Sequence, residues 1–164
     1  IYAAKTSQYS LANPLQLGAL IAGASPSDCH LISQFALPTG IAFQIVDDLL
    51  GLFGTAEETG KPEGQDLLEG KWTYPLTIAR AAASARQLVA IDQVYGKGQA
   101  KTEEIQAAQA AIRATGAQTQ SFAEADRLLT EARSVLSEFR ARGWRADLIE
   151  LLNEFLTYLR QRTR

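Results

Sequence analysis

The chain has 164 residues, 46% of them apolar and 21% charged, with a formal net charge of −2. That length is enough for one domain with a real core. The charge balance, with no long Lys/Arg run, argues against broad nucleic-acid binding. A single cysteine, Cys29, excludes an intramolecular disulfide framework and fits a reducing, cytoplasmic setting.

The sequence opens on Ile1 as though in mid-helix, and reads as part of a longer chain. "NPLQLGALIAGA" predicts a helix beginning near Pro14. The apolar run from Leu15 to Ala24 is broken by Gly18 and Gly23 and falls short of the roughly 20 residues of a membrane helix. No secretory signal is present in this sequence. A strong helix start follows: Ser25 as N-cap, Pro26 at the first helical position and Asp28 completing a capping-box-like pattern. Pro38 and Gly40 predict a kink or break within that helix.

Between residues 54 and 71 the texture changes to "GTAEETGKPEGQDLLEGK", which predicts a long loop with a functional role. Helices resume at "TYPLTIARAAAS". The segment 102 to 115 ends at Gly116, a plausible helix stop. Ser121 to Glu124 reads as a capping box before a stripe at Leu128, Leu129, Ala132, Val135, Leu136 and Phe139. Gly143 precedes a last helix with Leu148, Leu152, Phe155 and Leu159 on one face. No strand pattern and no internal repeat is found. The expected fold class is all-α, a bundle of mostly antiparallel helices in a single domain, with core helices and loop over 1–80 and further helices over 81–164.

The chemistry concentrates in "FQIVDDLLGLFG", where Asp47 and Asp48 stand side by side in an oily segment. On a helix they point about 100° apart. Gln44 lies one turn earlier and shares their face. Carboxylates amid apolar residues call for cations, and hard ions such as Mg²⁺ prefer carboxylate and phosphate oxygens. The following loop supplies Lys61 and Lys71, with Gly60, Gly64 and Gly70 allowing backbone to approach a ligand. Lys5 and Thr6 offer another cation and a hydroxyl. Together these groups suit a diphosphate bridged by metal. Each has an ordinary reading too: an Asp pair is the pattern of a solvated helix edge, and a glycine- and lysine-bearing loop that of a solvated connection. Cys29 and His30 lack partners for a zinc site, and Trp72 and Trp144 read as packing residues.

"GIAFQIVDDLLGLFGTAEETGKPEGQDLLEGKWTYPL" closely resembles the second aspartate-rich region of the trans-isoprenyl diphosphate synthases, the family of farnesyl and geranylgeranyl diphosphate synthases. The similarity joins FQ before the aspartates, the DD pair, GK in the loop and a D-L-x-E-G-K-x-T-x-P stretch. "KTSQYSLANPLQLGALIAGA" resembles the family's Lys-Thr helix in a form most like the bacterial geranylgeranyl enzymes, and "YLRQRTR" resembles its basic tail.

The resemblance implies an isoprenoid-synthase bundle that extends an allylic diphosphate by head-to-tail condensation with isopentenyl diphosphate, with Mg²⁺ as cofactor and a homodimer as the assembly. It implies Asp47 as principal metal ligand with Asp48 assisting. Lys5, Thr6, Gln44, Lys61 and Lys71 become contacts of the allylic diphosphate, and Asp47, Lys5 and Lys61 the catalytic groups. A short-chain product such as geranylgeranyl diphosphate follows from the same likeness.

Two departures stand out. The second motif usually reads D-D-x-x-D, and Gly51 holds its last position here. The first aspartate-rich motif and the isopentenyl diphosphate site would precede Ile1. Two other readings share the helices: a class I terpene synthase, against which the D-D pair speaks, and a non-catalytic subunit, which Gly51 favours. The site reading further expects Gln44, Asp47 and Lys61 to converge on one cavity faced by Lys5, and a 54–71 loop that is mobile without ligand.

Overall fold

The computed structural model describes residues 3–60 and 62–162, with side chains described from Thr6 onward. Among them the regular structure is entirely helical. A π-helical segment, Ala3–Ala12, leads into α1 (Asn13–Ile21) and α2 (Pro26–Phe53). Two one-turn helices follow, α3 (Ala56–Thr59) and α4 (Gln65–Leu68), then α5 (Tyr74–Ala82), α6 (Ala85–Asp92) and α7 (Thr102–Ala114). The chain ends with α8 (Ala117–Ala141) and α9 (Ala146–Gln161).

The chain divides into two compact units, one of residues 1–44 with 124–164, the other of residues 45–123. In the first unit, Phe35 and Phe139 meet edge to face with ring centroids 6.0 Å apart, and Trp144 packs on Phe139 at 4.4 Å. Such aromatic pairs add to the value of their burial. The second unit has its own core of Leu52, Leu67, Leu76, Ile91, Val94 and Ile112, all fully enclosed or nearly so. The amide of Gln109, 5% exposed, donates to the Leu52 carbonyl at 2.8 Å and ties α7 to the last turn of α2.

The start of α2 is built as the residues require. The Ser25 amide donates to Asp28 Oδ2 at 2.9 Å, and the Asp28 amide donates to Ser25 Oγ at 3.3 Å. The Ser25 hydroxyl, more than the Arg142 guanidinium, holds the Asp28 carboxyl below its ordinary value. By length and composition α2 is apolar enough to cross a bilayer, yet 61% of its most apolar window is buried inside the fold. Leu31, Phe35, Ile45, Val46, Leu49 and Leu52 make it a core helix.

Several boundaries differ from expectation. The helix does not break at Pro38 or Gly40 but runs unbroken to Phe53. Thr39 Oγ1 donates back to the Phe35 carbonyl at 2.7 Å, and Ser7 Oγ donates to the Leu37 carbonyl at 3.0 Å. Gly40 serves a crossing rather than a kink: a Cβ there would stand 2.8 Å from Ser7 Cβ and would overlap the Ser7 backbone. The 54–71 stretch is not structureless. Thr55 and Glu58 close a capping box around α3, and Gly64, with φ at 66°, precedes α4. Helix α8 starts at Ala117, directly after Gly116 at φ 79°. Ser121 is therefore buried inside it, its hydroxyl donating to the Ala117 carbonyl at 2.7 Å. In α9 the buried line is Ile149, Leu156 and Leu159.

Candidate active site

Helix α2 carries Gln44, Asp47 and Asp48 without interruption, so their relative directions follow from helical geometry alone. Gln44 and Asp47, three positions apart, share a face. Asp48 points about 100° away from Asp47. The two aspartates accordingly meet different surroundings: Asp47 is exposed, whereas Asp48 is only 5% exposed.

The Asp48 carboxylate accepts a hydrogen bond from the Tyr74 amide at 3.2 Å. Tyr74 opens α5, whose N-cap Thr73 accepts from the Leu76 amide at 3.4 Å. An anion at a helix N-terminus meets unsatisfied N–H groups and the positive end of the dipole. Asp48 thus joins α2 to α5. Asp48→Asn, which keeps the shape and removes the charge, is expected to lower unfolding stability by about 1–2 kcal/mol. A fall in the urea midpoint at constant m measures it; an unchanged midpoint would show that the carboxylate does not secure α5.

Thr6 Oγ1 donates to Gln44 Oε1 at 2.8 Å, across 38 residues of sequence. This bond brings Thr6 of the Lys-Thr segment against the Gln of α2. The side chain of Lys5, and Lys61 as a whole, lie outside the described residues, and with them the expected convergence of these lysines on Gln44 and Asp47. Lys71 is described, and it is not a bare cation. Its ammonium sits 2.7 Å from Asp66 Oδ1 and 2.7 Å from Glu69 Oε2. Those hydrogen bonds, Asp66 first, raise its pKa well above the ordinary lysine value. Sequence reasoning did not assign Asp66 a role, although its place in D-L-x-E-G-K, five residues before Lys71, was a usable signal.

Trp72, expected to be a packing residue, is 62% exposed. Its ring lies 5.4 Å from the Arg80 guanidinium, which also stands 5.1 Å from the Tyr95 ring and pairs with Asp92. Cation–π contacts of this kind hold a planar guanidinium between two rings. At the chain's end, Arg160 of the basic tail pairs with Asp126 of α8 at 2.6 Å. Arg164 lies outside the described residues.

Among the described residues no group of three or more His, Cys, Asp or Glu side chains is placed to enclose an ion. An exposed carboxylate one turn from an amide suits Mg²⁺, which takes one or two carboxylates and completes its shell with phosphate oxygens and water.

The polyprenyl synthetase family profile matches residues 1–112. The heptaprenyl diphosphate synthase component 2 of Geobacillus stearothermophilus is 36% identical over 141 residues, covering 84% of this chain and 43% of that protein. The (2E,6E)-farnesyl diphosphate synthase of Mycobacterium bovis is 37% identical over 125 residues, covering 74% of this chain and 34% of that one. The crystal structure of geranylgeranyl pyrophosphate synthase from Corynebacterium glutamicum, complexed with isoprenyl diphosphate and magnesium, superposes with a TM-score of 0.91 at 34% identity, over 98% of this chain and 45% of its own. The fold is the all-α fold of the isoprenyl synthases. The chain belongs to the polyprenyl synthetase family. It spans less than half the length of these relatives.

Proposed function

We propose that this chain forms the part of a trans-prenyl diphosphate synthase that holds the diphosphate of the allylic substrate. The hydrogen bond from Thr6 to Gln44, one turn before the exposed Asp47, carries the reading. It joins two segments remote in sequence whose motifs both point to diphosphate. Thr6 and Gln44 orient the diphosphate or its waters. Asp47 supplies the carboxylate oxygen for Mg²⁺, and Lys5 and Lys61 offset the charge that grows on the leaving group. Mg²⁺ bound there would act as a Lewis acid on the phosphate oxygens.

In the reaction, the allylic C–O bond breaks and diphosphate departs with the electron pair. The double bond of isopentenyl diphosphate attacks the allylic cation, a C–C bond forms, and loss of a proton restores a double bond. The apolar flank of α2 suits a prenyl chain attached to a charged head. Relatives that make farnesyl and heptaprenyl products match this chain to similar degrees, and the geranylgeranyl assignment rests on the form of "YSLANPLQLGA". Cys29, a free thiol, suits the cytoplasm, and a homodimer is the assembly proposed with it.

The experiment is incorporation of labelled isopentenyl diphosphate into a farnesyl or geranyl diphosphate primer by the complete synthase carrying this chain, with and without Mg²⁺. Metal-dependent appearance of a longer prenyl diphosphate is expected, and its length identifies the product. Mg²⁺-dependent diphosphate binding without incorporation would instead indicate a terpene-synthase-like or non-catalytic protein.

A further inference from the structure

Gly51 lies one turn beyond the aspartate pair, where a carboxylate would complete the motif. In the fold a carboxylate stands there all the same, delivered from another segment. A Cβ built at Gly51 would overlap Cγ and Oδ2 of Asp66 and stand 3.0 Å from its Oδ1. Asp66 is 7% exposed and lies in the first turn of α4. Its Oδ1 accepts from Lys71 Nζ at 2.7 Å, while its carbonyl accepts the Lys71 amide at 2.9 Å. Side chain and backbone thus close the same six-residue loop. Beyond it, the Gly96 amide donates to the Leu67 carbonyl at 2.8 Å and the Gly98 amide to Leu68 at 2.9 Å, so the loop is braced from behind.

We propose that Gly51 is a socket rather than a lost ligand: Asp66 fills the third motif position in space, and in doing so docks Lys71 against α2. Asp66 is then a positioning residue for Lys71. The physical case has two parts. A nearly buried carboxylate needs a cationic partner, which Lys71 provides. Any Cβ at 51 meets a short, ion-paired side chain with little freedom to swing aside. The functional consequence, though not the docking, rests on the reading of Lys71 as a diphosphate contact.

Amide hydrogen exchange of the unliganded complete protein tests the docking without reference to catalysis. Gly51→Ala and Asp66→Asn are each expected to speed exchange at the Lys71 amide by about tenfold or more, while Ile112 in the core of α7 keeps its protection. Unchanged exchange at Lys71 overturns the proposal. Calorimetric binding of inorganic diphosphate with Mg²⁺ then tests the link to function. Gly51→Asp should weaken it, and Gly51→Asp combined with Asp66→Ala should recover most of the loss. Lys71 Nζ is 2.7 Å from Asp66 Oδ1, so a carboxylate grown from α2 reaches it once Asp66 is removed. A merely structural role would give additive losses in the double variant, and additivity overturns the positioning role. Faster exchange with unchanged diphosphate affinity would uphold the docking and remove Lys71 from the proposed diphosphate site.

Discussion

Asp47→Ala is expected to lower kcat/KM of the complete synthase by about 10²–10³-fold or more, and Asp48→Ala by much less. The difference comes from direction. Asp47 is exposed on the face it shares with Gln44, and Gln44 is already engaged by Thr6. Asp48 is turned about 100° away and spends its carboxylate on the Tyr74 amide. With Gly51 in the third position, no carboxylate of this helix stands one turn on to share the metal with Asp47. If Asp47 is the metal ligand proposed, its loss would weaken the grip on metal and diphosphate together. Because charge grows on the leaving group, the loss is larger in the transition state than in the ground state, so kcat falls as well as KM rising. Steady-state kinetics of both alanine variants at saturating Mg²⁺ measure the effect, with the urea midpoint as companion. Asp48→Ala should shift the midpoint and Asp47→Ala should not. Equal kinetic losses would mean that both carboxylates ligate, and a silent Asp47→Ala would remove α2 from the metal site.

A single methyl group at Gly40 is expected to be nearly as damaging, through the fold. A Cβ at this position overlaps Ser7 Cα and stands 2.6 Å from Ser7 Oγ, and Ser7 is fully buried. The overlap involves backbone, so no rotamer relieves it. Either the π-helical segment lifts from α2 or the helix bends, and overpacking of this kind costs about 1–3 kcal/mol. The displacement carries Thr6, next to Ser7, away from Gln44. Gly40→Ala should therefore lower the urea midpoint and raise KM for the allylic diphosphate together. Gly18→Ala, inside α1 with open space around the new Cβ, serves as the control: it should leave KM unchanged and should not lower the midpoint. Normal stability and kinetics in Gly40→Ala would show that the segment does not cross α2 this closely.

Much of the fold was legible in the residues because helices advertise themselves locally. The Ser25–Asp28 cap, the start of α1 near Pro14, the stop at Gly116 and the stripe on α8 all depend on contacts within a turn or two. Asp47 and Asp48 drew notice for a similar reason: two charges in an oily helix conflict with their neighbours at short range. Where local rules met a distant partner, they misled. Gly40 reads as a helix breaker until Ser7 is seen to cross it. Ser121 reads as a cap until Gly116 is seen to have ended the previous helix and let α8 begin at once.

The amino-acid sequence by itself determined the all-α class, the DD-bearing helix and the family, because helical periodicity and motif spacing are properties of one segment at a time. Only the tertiary structure decided how the work is shared among the polar groups. It gave Asp48 to the start of α5, Thr6 to Gln44, and Lys71 to Asp66 over Gly51. The reason is physical. A polar side chain's role is set by what lies within about 3 Å of its oxygens; for Asp48 and Gln44 those partners come from 26 and 38 positions away, and Asp66 meets Gly51 across 15 positions, pairings that spacing within one segment cannot encode.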